Sequence, residues 1–149
     1  MSRSEPSHPD CVFCKIVNGA IASSVVLETV DVVAILDIHP VNQGHVLLIP
    51  KSHHSDLTEL PEALAAKVGA ILPRLCRAVL SASGAEGFHL IVNNGECAGQ
   101  TVSHGHWHII PRRRGDAVHW PWPHIEYLGD ELGRMKLAIE GALKSDAPG

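Results

Sequence analysis

The sequence lacks any long run of apolar residues. Its 149 residues contain no stretch that reaches the roughly 18 consecutive apolar residues needed by a membrane-spanning helix. The opening segment, MSRSEPSHPD, is polar and has no apolar stretch of the kind found in secretory signal peptides. The sequence therefore predicts a cytoplasmic protein without a membrane partner.

Positive charge is also scarce. Lys and Arg number 12 against 16 Asp and Glu, which gives a formal net charge of −4 at pH 7. Proteins that bind nucleic acid over a broad surface are typically basic, and the single basic run, RRR at 112–114, is only a small patch. Nucleic acid is therefore not expected as a partner.

Cysteine is represented by four residues, which a cytoplasmic location keeps reduced. Cys11 and Cys14 form a C-x2-C pair, and two thiolates at this spacing can share one tetrahedral zinc ion. A redox pair or two packing cysteines are the alternatives. A zinc site needs two further ligands, and His53 or His54, together with a later histidine, are available.

Histidine is abundant instead, with 11 residues. His104, His106 and His108 alternate within TVSHGHWHIIPR, and in a strand alternate side chains share one face. A neutral imidazole is a good nucleophile toward phosphorus near pH 7. The preceding loop, NNGECAGQT, has glycines that let backbone amides approach an anion. The row therefore predicts a phosphate or metal site rather than an ordinary polar strand face.

Hydrophobic periodicity predicts an α+β fold in one domain over 1–149, with a core at about 11–112 and a C-terminal extension at 113–149. Five strands are expected to form an antiparallel sheet, with a long helix from Asp56 to about Ser83 and a shorter C-terminal helix packed on it. Pro73 is expected to kink or break the long helix. A short helix should precede Gly19. The strand segments are SVVLET, VVAILD, GHVLLIP, GFHLIVNNG and TVSHGHWHIIPR.

Three ordered segments resemble the histidine triad (HIT) family of nucleotide hydrolases and transferases, over about 11–112. GQTVSHGHWHIIPR resembles the family's His-x-His-x-His signature, and LDIHPVNQGHVLLIPKSH its upstream segment. CVFCKIVNG is similar to the entry of the zinc-containing bacterial branch. The resemblance implies a HIT-like fold, a nucleotide substrate, expected to be a purine nucleotide, and a homodimer.

The resemblance also implies roles for individual residues. His106 would be the nucleophile, His108 would bind the phosphate and stabilise the transition state, and His45 would orient His106 through a hydrogen bond. Asp37 would bind the ribose, with Ile35 or Ile38 lining the base pocket. The phosphate contacts would be Asn93, Gly99, Gln100 and Thr101, and the ligands of a structural zinc ion would be Cys11, Cys14, His53 and His104.

The expected activity is hydrolysis of nucleoside phosphoramidates or dinucleoside polyphosphates through a nucleotidyl-histidine intermediate, with release of nucleoside monophosphate. A first alternative is a metal-dependent hydrolase whose histidine row binds a catalytic ion. A second is a nucleotide-sensing adaptor without significant turnover. Trp120 and Trp122, in VHWPWP, could cover a base or pack in a dimer interface.

Overall fold

Five strands form one antiparallel sheet in the computed structural model, which describes residues 8–146. The strands are β1 (Val25–Glu28), β2 (Val32–Leu36), β3 (Val46–Pro50), β4 (Gly87–Ile91) and β5 (Trp107–Arg112). Their order across the sheet is β1-β2-β3-β5-β4, and every neighbouring pair is antiparallel. The predicted α+β class with a five-stranded antiparallel sheet is confirmed.

Strands β2 and β3, in the interior of the sheet, are buried on both faces, which explains their unbroken apolar sequences. Alternate residues of β2 and β3 face opposite sides of the sheet, and each side has its own hydrophobic cluster. The larger cluster includes residues of α2 (Glu62–Ser83) and α3 (Glu131–Ser145). The smaller cluster includes Phe13 of α1 (Val12–Val17). α1 therefore covers one face and the two longer helices the other.

The long helix is continuous through Pro73, so the expected break does not occur. It begins at Glu62 and not at Asp56, because Pro61 occupies the N-cap with an extended ψ of 139°. A separate 3-10 turn at Leu57–Glu59 precedes it, with Asp56 as its cap. The helix ends at Ser83, and its C-cap Gly84 has a φ of 66°, a conformation that glycine adopts without strain.

All five strands are shorter than predicted, and the difference is largest for β4 and β5. β4 ends at Ile91, and β5 begins at Trp107 instead of Thr101, so His104 and His106 lie in the segment before the strand. The reason is a change of hydrogen-bond partner, because the Gly105 N–H donates to the His54 carbonyl at 2.8 Å and not to β3. The expectation that all three histidines share one strand face is therefore wrong.

The chain ends at 1–7 and 147–149 belong to the predicted domain of 1–149 but lie outside the described residues. The extent of that domain stays a prediction. Between residues 8 and 146, no helix is both long enough and apolar enough to cross a membrane.

Candidate active site and metal centre

The three histidines of the row are buried although only His108 lies in β5. Their exposed fractions are 0% for His104, 4% for His106 and 9% for His108. The rings of His106 and His108 are adjacent, with centroids 4.8 Å apart. Buried imidazoles that touch one another need fixed hydrogen-bond partners, and these partners define the chemistry of the site.

His106 is held by the main chain of His104. Its Nδ1–H donates to the His104 carbonyl oxygen at 2.7 Å, so the lone pair belongs to Nε2. The ring of Phe13 packs edge-on against His106 at a centroid distance of 4.9 Å. Burial lowers the pKa of His106, which favours the neutral imidazole. The arrangement presents an unprotonated Nε2, the form that can attack an electrophile.

His45 forms its imidazole contact with His108 and not with His106, contrary to the sequence-based expectation. His45 Nε2 lies 3.0 Å from His108 Nδ1. Leu47 of β3 pairs with His108 of β5, so His45 is a diagonal neighbour of His108 across the two strands. His106 precedes His108 by two residues, in the direction away from His45 in this register.

The protonation of this pair follows from a backbone donor. The Val41 N–H donates to His45 Nδ1 at 3.1 Å, so His45 carries its proton on Nε2. That Nε2–H donates to His108 Nδ1, which leaves the His108 proton on Nε2. Burial lowers the pKa of both rings to about 3, so both are neutral near pH 7. His108 therefore offers an N–H donor beside the lone pair of His106.

Asp37 lies on the loop that carries His45. Its backbone N–H donates to the His45 carbonyl at 2.9 Å, and its Oδ1 accepts the His39 N–H at 2.9 Å. Its side chain is 22% exposed, and Oδ2 lies 3.9 Å from His45 Nδ1. Ile38 is 60% exposed, whereas Ile35 is buried in the smaller cluster. Of the two candidates for a base pocket, Ile38 is the accessible one.

The glycine-containing loop lines a cavity of about 570 Å³ that includes Gly99, Gln100 and Thr101. The Gln100 carboxamide organises this loop: its Oε1 accepts the Gly95 N–H, and its Nε2 donates to the carbonyls of Ser55 and Val102. Gly99 has a φ of 90°, a value that favours glycine. The Asn93 amide lies beside Gly99, 3.8 Å from where a Cβ would stand. The loop thus brings together the four predicted phosphate contacts.

Cys11, Cys14, His53 and His104 form a cluster whose candidate ligand atoms all lie within 4.8 Å of one another. Cys11 Sγ is 3.3 Å from His104 Nδ1, and Cys14 Sγ is 3.3 Å from His53 Nδ1 and 3.6 Å from His104 Nδ1. Zinc–ligand bonds of about 2.0–2.3 Å give a tetrahedron with edges of about 3.3–3.8 Å. These three distances match such edges, so the cluster fits a zinc ion.

The protonation of the cluster also fits a metal. The His104 Nε2–H donates to the Pro50 carbonyl at 2.8 Å, which leaves the Nδ1 lone pair facing the two sulfurs. Burial lowers the pKa of His104 to about 4 and also lowers that of His53. Both rings are therefore neutral near pH 7, the form in which imidazole binds a metal ion. Burial raises the pKa of the Cys14 thiol, and a dication would compensate for a buried thiolate. His54 bonds Ser52 Oγ and is outside the cluster, which selects His53 of the two candidates.

Two aromatic side chains complete the surroundings of the histidines. Phe13 contacts both His104 and His106 and was not among the predicted site residues. Its position between Cys11 and Cys14 in the sequence was the available signal. Trp122 packs edge-on against His108 at 5.4 Å, and Trp120 packs on Trp122.

Comparison with known proteins places this arrangement in context. The sequence model of the HIT domain matches residues 18–115. An adenosine 5'-monophosphoramidase of Schizosaccharomyces pombe is 42% identical over 130 residues, which cover 82% of this chain and 95% of that protein. An adenylylsulfatase of Arabidopsis thaliana is 41% identical over 109 residues, or 73% of this chain, and the match spans 55% of its length.

A solved structure is similar as well. The Zn-bound histidine triad family protein of Mycobacterium smegmatis superposes with a TM-score of 0.81 at 36% identity. The superposition covers 91% of this chain and 94% of that one.

Proposed function

The chain belongs to the HIT domain family, and from this premise we propose that it is a nucleotide hydrolase. It cleaves nucleoside phosphoramidates or dinucleoside polyphosphates through a nucleotidyl-histidine intermediate and releases nucleoside monophosphate. The observation that carries the proposal is the buried His106, whose Nδ1–H is bonded to a backbone carbonyl and whose Nε2 bears the lone pair.

In the first step, His106 Nε2 attacks the α-phosphorus and the bond to the leaving group breaks. The leaving amine takes up one proton from solvent as it departs, or the leaving nucleotide departs with the bond's electron pair on its terminal phosphate oxygen. The positive charge that develops on His106 is stabilised by the Nδ1–H···O=C bond to His104. The His108 Nε2–H donates to the phosphoryl group as its negative charge is redistributed in the transition state.

In the second step, a water oxygen attacks the same phosphorus and the P–Nε2 bond breaks. The electron pair of that bond returns to Nε2, one proton of the water is released, and nucleoside monophosphate leaves. The site then regains its starting protonation, because the Val41 N–H and the His104 carbonyl are backbone groups that do not titrate.

We propose a structural zinc ion held by Cys11, Cys14, His53 and His104. Four protein ligands leave no open position, so the ion would supply cross-linking of α1 to the sheet and no chemistry at phosphorus. Among residues 8–146, His104 is the one member of the row that joins the cluster. This favours the nucleophilic role of His106 over a catalytic metal bound by the whole row.

The nucleotide is proposed to be a purine nucleotide, with Asp37 on the ribose hydroxyls and Ile38 against the base. Two observations support this: the relatives are named for adenosine and adenylyl substrates, and Ile38 exposes an apolar surface next to the carboxylate of Asp37. Asn93, Gly99, Gln100 and Thr101 are proposed to form the phosphate loop.

Replacing the carboxylate in Asp37→Ala is expected to raise KM for adenosine 5'-phosphoramidate by roughly tenfold with a smaller change in kcat, because charge-assisted hydrogen bonds to the ribose are lost in ground and transition states alike. Steady-state kinetics measure both constants. A substrate without ribose hydroxyls serves as the control, since it should not distinguish the variant from the wild type. A loss confined to kcat would contradict the ribose role.

A homodimer through β4 is also proposed. β4 lies at the edge of the sheet, and Phe88 and Leu90 are exposed on it. These two side chains line an apolar groove of about 400 Å³ with residues of α2. A long exposed apolar edge strand is normally covered, and a second copy would extend the sheet across it.

The substitution Leu90→Arg is expected to convert the dimer to a monomer, because a charge would be buried in an apolar interface. Light scattering coupled to size-exclusion chromatography reports the mass. Leu137→Arg on α3, where the leucine is 69% exposed, is the matched control and should remain dimeric. A wild-type chain that is monomeric at micromolar concentration would exclude this interface.

The proposed location is cytoplasmic, supported by four free thiols, two of which belong to the candidate zinc site. The function is tested by release of nucleoside monophosphate from adenosine 5'-phosphoramidate and from diadenosine tetraphosphate. Turnover supports the hydrolase. Tight nucleotide binding without turnover identifies a sensing adaptor.

A further inference from the structure

The segment after β5 returns across the active site of its own chain. Its first anchor is Asp116, whose carboxylate accepts from Arg112 Nε and Nη2 at 2.7 Å each. The Arg112 guanidinium holds the pKa of Asp116 well below its usual range, so this bidentate ion pair persists near pH 7. Asn42 Nδ2 donates to Asp116 Oδ2 at 3.0 Å and to the Pro111 carbonyl at 2.9 Å. The turn at residues 114–115, directly before Asp116, is thereby fixed to the loop that carries Asp37 and His45.

Residues 117–129, which we term the strap, are bonded again to the same loop farther along. The bonds are His124 Nδ1–H to the His39 carbonyl at 2.9 Å, the Ile125 N–H to the Pro40 carbonyl at 2.8 Å, and the Gly44 N–H to the Tyr127 hydroxyl oxygen at 2.7 Å. Both ends of the strap are therefore tied to the segment 37–45, and the part between them is held over His108.

Trp122 of the strap contacts the row at His108. Its ring lies 5.4 Å from that of His108 at an interplanar angle of 62°, within the range of favourable edge-to-face aromatic pairs. Trp120 packs edge-on against Trp122, also at 5.4 Å. His108 is thus held on two sides, by the hydrogen bond from His45 and by the indole.

We propose that Trp122 is a positioning residue that fixes the His108 imidazole for transition-state stabilisation, and this rests on the proposed hydrolase function. Besides the adjacent His106 ring, the hydrogen bond at Nδ1 is what orients His108, and it leaves the ring able to tilt about that bond. The indole removes that freedom, so the Nε2–H stays aimed at the site. A donor that is already oriented needs no reorganisation when charge develops, and its benefit falls on kcat.

The test uses the full chain as wild type, Trp122→Ala, Trp122→Phe and Leu128→Ala, with adenosine 5'-phosphoramidate as substrate. Leu128 is 69% exposed on the same strap and serves as the matched control. Trp122→Ala is expected to lower kcat by about threefold to tenfold with little change in KM, and Trp122→Phe to restore most of it. Trp122→Leu replaces the alanine variant if that variant does not fold by circular dichroism.

A second readout does not depend on turnover. Diethyl pyrocarbonate modifies accessible imidazoles, and peptide mass spectrometry gives the rate at His108. This rate is expected to rise several-fold in Trp122→Ala and to stay at the wild-type value in Leu128→Ala.

The outcomes separate the two proposals. A higher KM with unchanged kcat, or an unchanged modification rate at His108, overturns the positioning role. A wild type without turnover overturns the hydrolase, while the modification rate still decides whether Trp122 holds His108.

Discussion

Replacing His106 by alanine is expected to lower kcat for adenosine 5'-phosphoramidate by about a thousandfold or more while nucleotide binding persists. The substitution removes the only ring nitrogen in the row that is proposed to attack phosphorus, and loss of a covalent nucleophile typically has an effect of this size. Binding should survive because Asp37, Ile38 and the phosphate loop are on other segments. Product release is followed by chromatography, and binding by calorimetry with nucleoside monophosphate.

Trapping the covalent intermediate tests the nucleophilic role of His106 more directly. Rapid acid-free quenching of the wild type should yield an adenylylated peptide that contains His106, and the alanine variant should yield none. His119→Ala, which removes an exposed histidine outside the proposed machinery, is the control and should retain full turnover. Substantial turnover by the His106 variant, or a label on another residue, would rule out the proposed nucleophile.

Removal of the proposed zinc ion is expected to have the second large effect, which is on the stability of the fold. Binding of a structural zinc ion is coupled to folding and is worth on the order of 10 kcal/mol in small zinc domains. A loss of even half of this would lower Tm by about 10–20 °C in a domain of this size. Cys14→Ser, or dialysis against a strong chelator, should therefore lower Tm and reduce zinc from one ion per chain to none.

The control for the thiol substitution is Cys97→Ser, because Cys97 is exposed and lies outside the cluster. It should keep zinc and Tm unchanged. The zinc content of His106→Ala distinguishes a structural zinc ion from a catalytic metal bound by the histidine row. With a structural ion, this variant should retain its zinc. Loss of zinc from His106→Ala would favour a metal bound by the histidine row.

Much of the fold follows from local sequence patterns. The apolar runs at β2 and β3, the helical period of α2 and the glycine after α1 all predicted elements that the structure contains. The family resemblance is confirmed as well. The start of β5 was missed because a spacing of two fits an irregular extended segment as well as a strand, and only the bond from Gly105 to His54 distinguishes them.

The residues that belong to the site were easier to predict than the contacts between them. The C-x2-C spacing indicated Cys11 and Cys14 as ligands, and the family resemblance implied His53 and His104, which the structure brings to the same cluster. The partner of His45 was predicted wrongly because it depends on the register between β3 and β5, which sequence spacing does not encode. The contact of Trp122 with His108 depends on the path of the strap, which is set by distant bonds such as that of Asn42 to Asp116.

The proton positions of the imidazoles depend on main-chain atoms: the Pro50 carbonyl, the His104 carbonyl and the Val41 N–H. Ordinary substitutions change side chains and leave such atoms in place, so the tautomers of the site should be tolerant of mutation at these neighbours. The exception is proline at position 41, which would delete the donor to His45. Substitutions at these three neighbours can therefore leave the protonated nitrogens unchanged, provided that His45, whose Nε2–H sets the tautomer of His108, is retained.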